Sequence, residues 1–167
     1  MILSFKTKIN GTPTYFVHKI WCGLIENKLS KNFEEFYNKN SEMQLLGNAE
    51  STTVLPKLHT IRTDEKNRWK KGVLIDFFIN ARQKNMFRFA PRIPVVSTQR
   101  VFMTYLAQTG NGFQLSINGK QLWNYQIKEL ALNDGFEKVE DFEDYFIAKM
   151  KDDEYTGKII HWTDLRY

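Results

Sequence analysis

Alternation of apolar and polar positions predicts a strand at the start of the chain, with Ile2, Leu3 and Phe5 apolar and Lys6, Thr7 and Lys8 at its solvent end. Asn10-Gly11-Thr12-Pro13 breaks it. Pro13 suits a first helical turn after a Thr12 cap, and Phe16, Ile20 and Leu24 fall at helical spacing, which predicts a helix ending near Asn27. A second, shorter helix is expected over residues 33–37. Residues 38–53 are polar and aperiodic and read as a long loop or lid. After Pro56 the chain is expected to run extended, because a residue preceding proline is biased away from helix. Lys70-Lys71-Gly72 makes a turn into an apolar, buried strand over 73–79. Pro91 and Pro94 punctuate the next extended region, and 95–105 alternates as a long strand. Residues 115–123 read as a hairpin turned by Asn118-Gly119. Helices are expected over 125–133, with Gly135 as its C-terminal cap, and over 139–150, with Phe142, Phe146 and Met150 on one stripe. The last strand is expected over 158–162. The sum is a strand-rich α+β domain, a small curved antiparallel sheet or barrel with helices at its ends.

Composition narrows this picture. A chain of 167 residues that is 42% hydrophobic makes one compact domain the default. No apolar run reaches the roughly 20 residues of a membrane-spanning helix, and the first residues lack the apolar stretch of a signal peptide. Cys22 is alone, which leaves no intramolecular disulfide and no cysteine-based zinc spacing. A cytoplasmic protein without membrane partners fits best.

Charge changes the picture more. The net charge is +5, but it is unevenly spread. Residues 57–71 hold six Lys/Arg against Asp64 and Glu65, residues 82–100 hold five basic residues and no acid, and residues 129–154 hold ten acids against three lysines. A basic middle collects polyanions such as RNA by counterion release. The same pattern also arises when two opposite charge blocks partly face each other on an ordinary surface.

The candidate chemistry lies in Lys57-Leu58-His59-Thr60-Ile61-Arg62 and the basic, aromatic run that follows it. Side chains alternate along an extended segment, so Lys57 and His59 share one face, and Thr60 and Arg62 the other, unless a kink brings Lys57 back toward Thr60. A threonine hydroxyl becomes a nucleophile only if a base takes its proton, and lysine serves as that base only when burial or like charge lowers its pKa. The plainer reading makes Thr60 a strand residue, Lys57 a solvated cation and His59 a hydrogen-bonded structural histidine. His18 and His161 complete no metal-ligand spacing, so neither a metal nor another cofactor is expected. Arg68 and Trp69, with Lys70 and Lys71, could bind phosphate and stack on bases, or Trp69 could be core. Asp134 lies where a helix is expected to end, an unfavourable place for a carboxylate, which hints at a specific partner beside the ordinary turn-forming role of Asp-Gly.

Three stretches, Lys57-Leu58-His59-Thr60-Ile61-Arg62, then Lys71-Gly72 before a strand, then Leu130-Ala131-Leu132-Asn133-Asp134-Gly135-Phe136 before an acidic helix, together resemble the ASCH domain family of the PUA-like superfamily. The resemblance covers about 56–162. It implies a small β-barrel with flanking helices, with residues 1–55 as an N-terminal elaboration, and an RNA or modified-nucleoside partner. The usual signature is Gly-x-Lys-x-x-Glu; here Lys57 matches the lysine, Leu55 replaces the glycine and Thr60 stands at the glutamate. Members that act as N4-acetylcytidine amidohydrolases carry Lys-x-x-Thr-x-Arg at this point. By that resemblance Thr60 would be the nucleophile, Lys57 its base, and Asp134 would stand roughly where a glutamate assists, one methylene shorter. Arg62 matches the arginine that would polarise an oxyanion or orient the substrate. Arg62, His59, Arg68 and Trp69 form the expected substrate-binding set. The alternative is a non-catalytic RNA- or nucleotide-binding module with the same pocket and basic face.

Overall fold

A computed structural model describes residues 1–30, 55–106 and 112–167. The helix expected over 33–37 and the loop over 38–53 lie outside the described residues. In chain order the elements are β1 (Ile2–Phe5), β2 (Lys8–Ile9), β3 (Thr12–Pro13), α1 (Phe16–Glu26), β4 (His59–Arg62), β5 (Leu74–Ile79), β6 (Phe87–Arg88), β7 (Ile93–Pro94), β8 (Ser97–Leu106), β9 (Gly112–Ile117), β10 (Lys120–Gln121), α2 (Asn124–Asn133), α3 (Val139–Ile147) and β11 (Glu154–His161).

The α+β class holds, and the sheets are mostly antiparallel. The largest one runs β10-β9-β8-β11-β4. In a second, β5 pairs with β1 in parallel and with β6 and β7 antiparallel, and β2 and β3 form a two-stranded sheet of their own. The expected barrel is not what forms: among the described residues no sheet closes on itself. The reason is the pairing at the edges. β4 bonds only β11 and ends the five-stranded sheet, while β5 takes β1 as its neighbour instead of extending that sheet.

Two apolar cores lie on either side of β11 and β4. Ile160 and Trp162 pack with α1 and β5, among Ile20, Trp21, Leu24, Ile75 and Phe77. Ile159 and Ile61 point the other way, toward α2 and α3, among Leu130, Phe142 and Phe146. Period-two alternation therefore places consecutive residues of one strand in different cores. The β4 segment runs along the seam between them.

Local departures from expectation have local causes. Pro13 is in β3, opposite Lys8, and does not open the helix. The Thr14 amide extends that hairpin by donating to the Thr7 carbonyl (2.9 Å), so α1 begins only at Phe16, after Tyr15 in the left-handed region (φ 52°). The Phe16, Ile20, Leu24 stripe and the end near Asn27 are as expected, and the Asn27 side chain donates to the Gly23 carbonyl (2.8 Å). Helix α3 stops at Ile147 instead of 150. β11 starts at Glu154 instead of 158, because Asp152 and Asp153 turn the chain with positive φ and let eight residues pair with β8. The Asn118-Gly119 hairpin has the positive φ angles expected of it, 51° and 83°. Cys22, on α1, where an apolar helix face would bury it, is only half-buried instead.

Candidate active site

Backbone pairing fixes where Lys57 sits. Its amide donates to the Lys19 carbonyl on α1 (2.8 Å), and the Leu58 amide donates to the Asn133 carbonyl at the end of α2 (2.8 Å). The segment entering β4 is thus pinned between two helices, one from each core. Asp134 caps the C-terminus of α2, and Gly135 turns the chain back with φ +88°. The unfavourable helix-end carboxylate noted from sequence finds its partner there. Lys57 Nζ donates to Asp134 Oδ1 (2.7 Å) and to the Asp134 carbonyl oxygen, and both side chains are almost wholly buried. The ammonium also lies over the Phe16 ring at 4.7 Å.

Lys57, Thr60, Arg62 and Asp134 line one cleft, with Phe16, Phe136 and Tyr145 as its aromatic walls. Its free space is about 20 Å³, room for one water. Behind Phe16 and Phe136, which meet edge to face at 6.1 Å, a second cleft of about 140 Å³ opens between α1, the β2–β3 hairpin and the start of α3. Thr60 is 2% exposed, and its hydroxyl has no hydrogen-bond partner among the described residues. Arg62 stacks over the Phe5 ring (5.2 Å) and donates to the Ser4 carbonyl (2.7 Å), which holds its guanidinium at the cleft wall.

Electrostatics follow from burial. Desolvation pushes the Lys57 amine down from its ordinary value to about 8 despite the pull of Asp134, and Arg62 and Lys19 add like charge. Burial alone would raise the Asp134 carboxyl; the Lys57 charge and the contacts with His59 and Lys57 outweigh it and hold it below the ordinary carboxylate value. His59 is lowered by burial, with Asp134 opposing.

Sequence reasoning named seven site residues, and the structure separates them. Lys57, Thr60, Arg62 and Asp134 converge. His59 is fully buried behind the cleft: its Nδ1 faces Asp134 Oδ1 at 3.5 Å without forming a hydrogen bond, and its Nε2 lies 2.7 Å from the Tyr167 hydroxyl. Arg68 and Trp69 lie elsewhere. The Asp64 carboxylate accepts from both of their amides (2.9 Å each) and from Lys158 Nζ (3.0 Å), a turn that tucks Trp69 into the first core and leaves Arg68 exposed. Sequence reading missed Tyr167, Asn133 and the aromatic walls. Tyr167 is 108 residues from His59, so no local spacing could announce it. Among the described residues no group of three or more His, Cys, Asp or Glu side chains is placed to hold a metal ion. No described helix is long and apolar enough to cross a membrane. No protein-family model, curated protein or solved structure matches the chain.

Proposed function

We propose that this cleft hydrolyses an acyl amide on a modified nucleoside such as N4-acetylcytidine, the activity implied by the ASCH resemblance. The observation that carries the reading is the buried Lys57–Asp134 pair sharing a cleft with an arginine and with a threonine hydroxyl that no described residue partners. A lysine that titrates near pH 8 is neutral in part at physiological pH and can take a proton. The Thr60 oxygen attacks the acyl carbon as its proton passes to neutral Lys57. Arg62 faces the oxyanion of the tetrahedral species. Collapse breaks the C–N bond, and Lys57 returns the proton to the departing exocyclic amine. Water then attacks the acyl-threonine, losing a proton to Lys57; collapse breaks the acyl C–O bond, Lys57 passes that proton to the departing Thr60 oxygen, and the carboxylic acid is released. Asp134 orients the lysine throughout. A nucleoside needs a site of about 300 Å³ or more, more than this cleft of about 20 Å³ and its neighbour of about 140 Å³ hold together, so Phe16 and Phe136 must swing apart and the joined clefts must widen further. Acetate release from N4-acetylcytidine, retained in Thr60→Ser and lost in Thr60→Ala and Lys57→Ala, tests the proposal. No turnover across a panel of acylated nucleosides would sink it.

One observation favours a binding module instead. Two of the Lys57 donors are already committed to Asp134, and Arg68, Lys70, Lys71, Arg82, Lys84, Arg88 and Arg92 are all exposed. On this reading the exposed cations hold RNA and no bond is broken. Affinity for RNA should then fall steeply with salt and weaken when Arg68 and Lys70 are neutralised; salt-independent or absent binding counts against it.

A further inference from the structure

The reaction scheme leaves one buried polar chain unused. Asn133 Nδ2 donates to the Tyr167 hydroxyl oxygen at 3.0 Å, and that hydroxyl lies 2.7 Å from His59 Nε2. An amide nitrogen can only donate, so the tyrosine oxygen accepts from it and its one proton is free to go to His59. Tyr167 is itself held in place: the Gln99 side chain donates to its backbone oxygen (2.7 Å) and accepts from its amide (3.2 Å). A neutral imidazole whose Nε2 accepts carries its proton on Nδ1. That nitrogen is the one facing Asp134 Oδ1 at 3.5 Å. The separation is long for a hydrogen bond, and such contacts commonly tighten only when substrate binds.

We propose that His59 is a positioning residue for the Lys57–Asp134 pair, held by Tyr167 and Asn133 in the Nδ1–H tautomer so that its ring proton supports the Asp134 carboxylate. It touches no substrate, being fully buried behind the cleft. Its role is to keep Oδ1 on Lys57 while the lysine changes charge. The other tautomer would aim a lone pair at the carboxylate and push it away. Burial and the Lys57 charge favour a neutral ring and outweigh Asp134, which favours the charged form; His161 packs edge to face at 5.4 Å from β11, and Tyr167 closes the far side. Around Lys57 the charged groups are Asp134, Arg62 and Lys19. The proposal rests on the hydrolase reading for its purpose but not for its test.

Nitrogen-15 NMR of the full chain reads the tautomer directly. His59 is expected to show a protonated Nδ1 and an unprotonated Nε2 from pH 6 to 8; the reverse pattern, or an imidazolium, overturns the proposal. In Tyr167→Phe the Nδ1–H population should fall, and an unchanged pattern overturns it too. The second measurement is the titration of the Lys57 amine. In His59→Leu the carboxylate loses its supporting donor and pulls harder on Lys57, so the midpoint should move up toward the ordinary lysine value. His59→Asn, whose amide lies close to the Nδ1 position, should restore the lower midpoint; equal shifts in both variants would mean that His59 only fills space. With turnover in hand, kcat in His59→Leu should fall on the order of tenfold to a hundredfold at unchanged KM, with recovery in His59→Asn. Correct tautomer and titration with no turnover would overturn the hydrolase reading and leave the positioning role standing.

Discussion

Gly23 on α1 lies against the Lys57 backbone: a Cβ at position 23 would sit 2.7 Å from the Lys57 carbonyl oxygen and 3.2 Å from the Leu58 side chain. The helix gives way there so that the segment entering β4 can be pinned by Lys19 and Asn133. Gly→Ala inside a helix ordinarily gains about 1 kcal/mol. Here the contact is with backbone, which cannot rotate aside. Gly23→Ala is therefore expected to destabilise the chain by about 1–3 kcal/mol, as overpacking does. Urea unfolding measures it, and a gain in stability would show that the contact is not tight.

The buried pair behind that contact makes a sharper prediction. Asp134→Ala strands an ammonium that is 1% exposed, and removing one partner of a buried ion pair costs about 3–5 kcal/mol. Removing both, in Lys57→Met with Asp134→Ala, should recover much of the loss, because no charge is then left without a partner. A double-mutant cycle by chemical denaturation gives the coupling. Additive losses would mean that the pair contributes nothing beyond packing.

That pair also marks how far the sequence could be read. Most elements were legible because period-two and period-3.6 patterns report which face is buried, as with Phe16, Ile20 and Leu24 or the strand over 73–79. The barrel was not, since alternation says that β4 and β5 are strands but not that β5 prefers β1. Lys57, Thr60 and Arg62 could be singled out from local spacing, and Asp134 from its unfavourable helix-end position. Trp69 reads from sequence either as a stacking platform, since Arg68, Lys70 and Lys71 flank it, or as core. What turned it inward was the Asp64 carboxylate gathering two amides, a tertiary detail with no periodic signal.

Stability should fall on acidification earlier than carboxylates alone would cause. Burial pushes His161 from its ordinary 6.5 down to about 3, with His59 and Arg166 adding to the shift, and His59 is lowered as well. Both are lowered in the folded state, so below pH 6.5 the unfolded chain binds more protons than the folded one. The stability they contribute is present above pH 6.5 and is lost as pH falls toward their folded values. Each proton taken up contributes a slope of about 1.4 kcal/mol per pH unit. Asp134, also lowered when folded, adds its loss only below its ordinary value of 3.8. Urea midpoints from pH 7 to 4 should decline measurably, and His161→Phe should flatten the slope. A midpoint constant down to pH 5 would contradict the buried neutral histidines.

The lowered lysine predicts how a hydrolase built on this cleft responds to pH. Below about pH 8 Lys57 is mostly an ammonium held by Asp134, and only its neutral fraction can take the Thr60 proton. Above it, the neutral amine is the major form. The rate should therefore climb with pH up to about 8 and level off beyond, about tenfold per unit on the rising limb for loss of a single proton. Lys57→Arg cannot lose its proton in this range and should be inactive throughout. Thr60→Ser keeps the hydroxyl and should preserve the profile at altered rate, while Thr60→Ala should abolish it. A kcat that is flat from pH 6 to 9 would mean that Lys57 serves as a fixed charge, with the proton taken elsewhere.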